Sequence, residues 1–206
     1  MKKYAISLLI LSLFLMQCSK KAMLRKYYVL EIASPKMEAS IDSLTTLPFR
    51  FEVRDMNIAK AYNQTRIALR SASHELNYYY YHNWAVRPPV AISDLVYQIM
   101  KSSGVCPNVN RGYMINPDYI VTGYIDQLER NDLSDQPVAH ISGNFELRQA
   151  TTDQSVASYR FNRDMVLVNS HNMNTFADAI STILFEETQG FIRNMHQALT
   201  KQDVGP

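Results

Sequence analysis

Cysteine, histidine and tyrosine are the side chains here whose types can do chemistry, and their spacing decides which kind. The chain carries two cysteines, Cys18 and Cys106. Cys18 closes an apolar run, Tyr4 to Met16, that follows Lys2 and Lys3. A thiol at the end of such a run is placed to accept an acyl group as an exported chain meets the membrane, and that modification leaves Cys106 without an intrachain disulfide partner. Cys106 itself lies in Gly104-Val-Cys-Pro107 with no adjacent charge to lower its pKa. It is expected to be a small, semi-buried residue near a loop and not a nucleophile.

The histidines, at 74, 82, 140, 171 and 196, show no metal-ligand spacing, although His74 and His82 can share a strand face. The six glycines are scattered singly. No G-x-S-x-G elbow, phosphate-cradling glycine loop or H-E-x-x-H motif occurs. Asp126 and Glu146 fall on polar strand faces, where a solvated carboxylate is commoner than a general base. No catalytic residue, metal or cofactor is assigned, the one covalent group expected being an acyl lipid on Cys18.

The remaining anomaly is Tyr78-Tyr-Tyr-Tyr81 with Trp84 nearby. Leu76, Tyr78, Tyr80 and Trp84 share one parity, which puts Tyr79 and Tyr81 on the face opposite the apolar one. Either this strand is packed on both faces, or Tyr79, Tyr81 and Trp84 form a contact surface for protein or lipid.

These residues need elements to hold them. Lys2, Lys3 and the apolar run have the charge and length of a signal peptide, too short to span a bilayer comfortably. Leu15-Met16-Gln17-Cys18 resembles the lipobox of bacterial lipoproteins, in which signal peptidase II frees a diacylated cysteine. An uncleaved anchor or a plain secretory signal are the alternatives. Ser19 follows the cysteine, which by likeness to enterobacterial lipoproteins implies passage to the outer membrane. The expected organisation is a signal at 1–17, a lipidated N-terminus and tether at 18–26, one domain at 27–201 and a tail at 202–206. Acyl chains bury methylenes at about 0.8 kcal/mol each, enough together to hold a protein on a membrane.

The 206 residues suit one core, and 47% hydrophobic with 19% charged residues argues against both disorder and a multi-span membrane protein. The net charge of +2 disappears without Lys2 and Lys3, leaving 19 basic against 19 acidic residues. A neutral domain has no long-range field to gather phosphate backbones, so nucleic acid is not an expected partner.

Tyr27 to Ile32 is a short β-type run closed by Ser34-Pro35. Phe49, Phe51 and Val53 alternate with charged residues, as do Ile67 and Leu69, and a turn at Ser71–Ser73 makes the next run a hairpin. Pro88-Pro89 ends it, and Val90 to Ser103 has a helical stripe that Gly104 can close. Tyr119 to Ile125 is nearly all apolar, the mark of a central strand. Ala139 to Leu147 and Ala157 to Phe161 alternate cleanly around a Thr151–Gln154 turn, predicting an antiparallel hairpin. From about Asn174 the period becomes helical through Phe176, Ile180, Leu184, Phe191, Met195 and Leu199. The expected fold is therefore α+β, a single domain with two helices packed on one face of a largely antiparallel sheet.

The order of these features resembles the ABC-type transport auxiliary lipoproteins, the PqiC-like family, from Tyr27 to about Leu199. Tyr28-Val-Leu30 is similar to that family's opening strand. Asn83-Trp-Ala-Val-Arg-Pro88 is similar to the tryptophan-alanine-x-proline segment before its first helix, and Asp118 to Leu128 to its central strand. The hairpin and the closing helix, with Ala177-Asp-Ala179, follow in the same order. The resemblance implies a non-enzymatic accessory of an MCE-type lipid transporter, whose separate ATPase and permease drive traffic through MCE-domain proteins. Its lipid would hold it at the outer membrane facing the periplasm, where it would dock the MCE assembly, pass on phospholipid or a related hydrophobic molecule, and could act as a homo-oligomer. The competing classes are an envelope lipoprotein that assembles or binds something else, and an envelope hydrolase.

Overall fold

A computed structural model describes residues 23–32, 44–168 and 172–202. The clearest alternation in the chain builds its most regular part. β8 (Val138–Gln149) and β9 (Ser155–Val166) pair antiparallel, with Phe145 opposite Tyr159 and Gly143 opposite Phe161. Their turn contains Asp153 at φ 56°, and its carboxylate receives the Arg148 Nε at 2.8 Å. The apolar parity of β8, Ala139, Ile141, Phe145 and Leu147, is fully buried.

β7 (Tyr119–Asn131) runs antiparallel to β8 along its whole length. A bulge at Asp126 shifts its parity, so Val121 and Ile125 before it, and Leu128 after it, all reach the core, while Glu129 turns to the opposite face. The other edge of β7 receives three short parallel strands in turn. β2 (Arg50–Val53) meets Tyr119–Val121, β3 (Asn57–Ile58) meets Tyr124–Ile125, and β4 (Arg66–Ala72) meets Glu129–Asn131. β6 (Asn108–Arg111) adds parallel to β2, β5 (Glu75–Trp84) antiparallel to β4, and β1 (Lys26–Tyr28) parallel to β5.

The result is a mixed sheet of nine strands. Strands that follow one another through short connections form the long antiparallel ladders, β4 with β5, β7 with β8 and β8 with β9, and strands more distant in the chain form the short parallel ones. The predicted α+β class with two helices holds. The parallel additions come from strands of two to seven residues, too short for alternation to announce their direction.

Helix α1 (Pro88–Ser102) begins on the two prolines that alternation treats as a stop, because first-turn N–H groups need no intrahelical acceptor. Its stripe Ile92, Leu95, Val96, Ile99 and Met100 is buried, and Gly104 closes it at φ 71°. Ser93 tethers it to the sheet: its Oγ donates to the Pro89 carbonyl at 2.7 Å and accepts the Met56 N–H at 2.8 Å. Helix α2 (Met173–Gln202) packs over β8 and β9 and against α1, with Phe191 against Phe145 at 5.6 Å and Phe176 against Trp84 at 5.7 Å. Each such side chain contributes roughly 1.5–3 kcal/mol on burial. Among the described residues no helix is long and apolar enough to cross a membrane.

Candidate functional site

β1 is short, and that shortness opens a cleft. Tyr28 points inward at 8% exposure while Tyr27 and Val29 point out. Beyond β1 the chain is stitched to α2, the Glu31 N–H donating to Ser181 Oγ at 3.2 Å and Ser181 donating to the Ala177 carbonyl at 2.8 Å. Between this segment and the start of α2 lies a cavity of about 300 Å³ lined by Tyr27, Val29, Glu31, Asn174, Asp178 and Ser181. A second space of about 370 Å³ adjoins it, floored by Tyr28, His82 and Met173 with Lys26 at its rim.

The floor is aromatic. Tyr28 and His82 share a 2.7 Å hydrogen bond with stacked rings 5.7 Å apart, and Tyr79 meets His82 edge-on at 5.3 Å. Burial, then the charges of Lys26 and Arg130, hold His82 below its ordinary pKa, and burial raises those of Tyr28 and Tyr79. A neutral imidazole among protonated phenols offers hydrogen bonds and flat apolar faces, the chemistry of binding. At the mouth Tyr27 and Val29 are exposed; in β5 Tyr80 is exposed too, with the Arg25 guanidinium 5.2 Å over its ring. Met23 and Leu24, just before β1, are exposed too. Among the described residues no cluster of His, Cys, Asp and Glu could hold a metal ion.

The tyrosine run differs from its alternation. Arg66 faces Asn83 and Ala68 faces Tyr78, so Tyr79 to His82 bulge out opposite Ile67 alone. Tyr79 is consequently half-buried against the core, Tyr80 is the ring at 63% exposure, and Tyr81 is half-buried with its ring 4.9 Å from Tyr80. Trp84, expected as part of a contact surface, is 3% exposed and belongs to the core, because it lies past the bulge and packs under α2. Cys18, the signal segment, most of the tether and His171 lie outside the described residues. His74 stands exposed in the β4–β5 turn, away from His82 in β5. Cys106 is fully buried, and burial pushes its thiol up to about 12.

Buried charge sits elsewhere. Glu129, 1% exposed, accepts the Tyr62 hydroxyl at 2.6 Å and Arg70 Nη2 at 2.9 Å, and pairs with Arg70 Nε. Glu187 accepts the Tyr159 hydroxyl at 2.9 Å and Arg163 Nη1 at 2.6 Å. Glu52, 3% exposed, accepts Arg54 Nε at 2.6 Å and the Met114 N–H at 3.1 Å, mooring a loop that exposes Tyr113 and Ile115. Each carboxylate is paired, the condition under which a buried charge is tolerated. Sequence patterning passes over these groups and the cleft alike, since their partners lie far apart in the chain.

A mixed sheet with both helices on one face, and a cleft where the first strand meets the last helix, defines a single α+β domain. The chain belongs to the family of ABC-type transport auxiliary lipoprotein components, whose model matches residues 28–189. Among solved structures it is similar to protein XCC0632 from Xanthomonas campestris, of family DUF330, at 19% identity and a TM-score of 0.74, covering 86% of this chain and 99% of that one. It is also similar to an uncharacterised protein at 11% identity and a TM-score of 0.64, covering 82% of this chain and 97% of that one. At these identities the likeness is one of fold. No curated protein matches the chain significantly.

Proposed function

We propose that this chain is a non-enzymatic lipoprotein anchored through acylated Cys18 to the periplasmic face of the outer membrane. It serves there as the auxiliary component of an MCE-type ABC transport system that moves phospholipid or a related hydrophobic molecule between the membranes. The observation that carries this reading is the family match over residues 28–189, preceded by a signal-type segment ending in a cysteine. The cleft beside β1 supports it: exposed Val29 and Tyr27 border a floor of hydrogen-bonding rings, a surface suited to a partner protein or a lipid. Of the expected interface residues, Tyr79 contributes a ring beside His82 and Tyr81 stands half-buried beside the exposed Tyr80, while Trp84 belongs to the core.

The test is affinity purification from solubilised envelopes, with wild-type chain and Cys18→Ala compared. MCE-domain, permease and ATPase subunits should co-purify with the wild type, and the variant should lose the acyl group and its membrane partition. A wild-type chain that carries no lipid, or that captures none of those components, would overturn the reading.

A further inference from the structure

Charge beyond the signal-type segment is unevenly placed. Residues 19–30 hold four basic side chains, Lys20, Lys21, Arg25 and Lys26, and no acidic one, whereas residues 31–206 hold 15 basic against 19 acidic. A cationic end is thus joined to an anionic body. Basic side chains are drawn to a bilayer surface that carries anionic headgroups, an attraction that fades within a Debye length, about 8 Å at physiological salt.

The described part of this end is also apolar and open. Met23, Leu24, Tyr27 and Val29 are exposed within seven residues, and Arg25 holds the exposed Tyr80 ring beside them. Leu24 is 81% exposed. Single apolar side chains scattered on a surface need no explanation, but a contiguous group marks a surface that something apolar receives. Tyrosine, arginine and lysine suit the boundary of a bilayer, with ring or stem toward hydrocarbon and the polar tip among headgroups.

Position and charge together select the occupant. Met23 lies five residues after Cys18, a reach of at most about 18 Å for an extended chain, so a lipid on Cys18 keeps this group beside the bilayer. An anionic surface attracts the basic end and repels the acidic body, which confines contact to the β1 edge. We infer that Met23, Leu24, Arg25, Lys26, Tyr27 and Tyr80 form a second membrane contact, seating the β1 edge on an anionic phospholipid surface. The cavity bordered by Tyr27 and Val29 then opens at the headgroup layer. Tyr113, exposed after β6 in the branch of the sheet joined to the other end of β7, stays in water. The inference deepens the transport reading and rests on it for the lipid that keeps this end near the bilayer.

The full-length chain, purified from envelopes and reconstituted in phosphatidylethanolamine vesicles with or without phosphatidylglycerol, tests it. Leu24→Cys and Tyr113→Cys are each labelled with an environment-sensitive fluorophore, Cys106 being buried and silent. With phosphatidylglycerol present, the probe at 24 should shift to the blue and be quenched by nitroxide-bearing lipids, and the probe at 113 should do neither. High salt, or vesicles without phosphatidylglycerol, should weaken both signals at 24. Arg25→Gln with Lys26→Gln should lower the ratio of docked to undocked probe about twenty-fivefold, fivefold for each charge. Acylation is read separately, from the mass of the N-terminal peptide: an unacylated peptide refutes the lipoprotein reading, and the probe at 24 still decides the contact. A probe at 24 that stays in water, burial of both probes alike, or protection at 24 in native envelopes but not in protein-free vesicles would each overturn the inference.

Discussion

Replacing Glu129 with Ala strips a carboxylate from a site that is 1% exposed and leaves two donors behind. The Tyr62 hydroxyl, itself on a buried residue, loses its 2.6 Å acceptor, and Arg70 loses its paired partner. A guanidinium stays protonated with or without its partner, so Arg70 cannot relieve the loss by giving up a proton. Removing one member of a buried pair costs about 3–5 kcal/mol. The Arg70 side chain keeps 19% exposure and reaches some water, which points to the lower end, about 3 kcal/mol. For a domain of this size that corresponds to a fall in Tm of roughly 6–12 °C. Urea denaturation followed by circular dichroism measures it. The triple variant Tyr62→Phe, Arg70→Met, Glu129→Leu removes all the charges and hydrogen-bonding groups together and should recover most of the loss. If Glu129→Ala lies within 1 kcal/mol of wild type, or the triple variant is worse than the single one, the network is not stabilised by mutual pairing.

Three other outcomes are expected. A Cβ on Gly190 would sit 2.6 Å from Cζ of Tyr159, so Gly190→Ala should lower stability by about 1–2 kcal/mol, overpacking outweighing the helix-propensity gain; a rise in Tm refutes it. Cys106 should resist alkylation at pH 8 until denaturant is added, since its thiol is buried and pushed up to about 12, and labelling of the native chain at the unfolded rate would contradict this. His82 has a folded pKa below its unfolded one, so the unfolded chain takes up the proton first as pH falls. Stability is then full above about pH 6.5 and declines below it toward the folded pKa, and His82→Gln should flatten that decline in melts between pH 7 and 5.

Patterning was informative wherever a strand is long and one face is dry. The β8–β9 hairpin, the apolar course of β7 and both helical stripes follow from side-chain periods of two and 3.6. It was uninformative where tertiary contact decides. β3 has two residues and β6 four, too few for a period, and both exist because β7 and β2 offer edges. In β5 the bulge opposite Ile67 inverts the parity of the tyrosines, so the exposed ring is Tyr80. The cleft joins Glu31 to Ser181 across 150 residues, and no local signal reports such a meeting.

The edge of β7 that takes up β2, β3 and β4 one after another also orders the birth of the fold. Those three segments are synthesised first, yet the strand they lean on ends only at Asn131, so the early part of the chain has nothing to close upon until much of the rest has been made. Pairings so distant in sequence form slowly. The first third of the chain therefore stays open until the strand it leans on is complete.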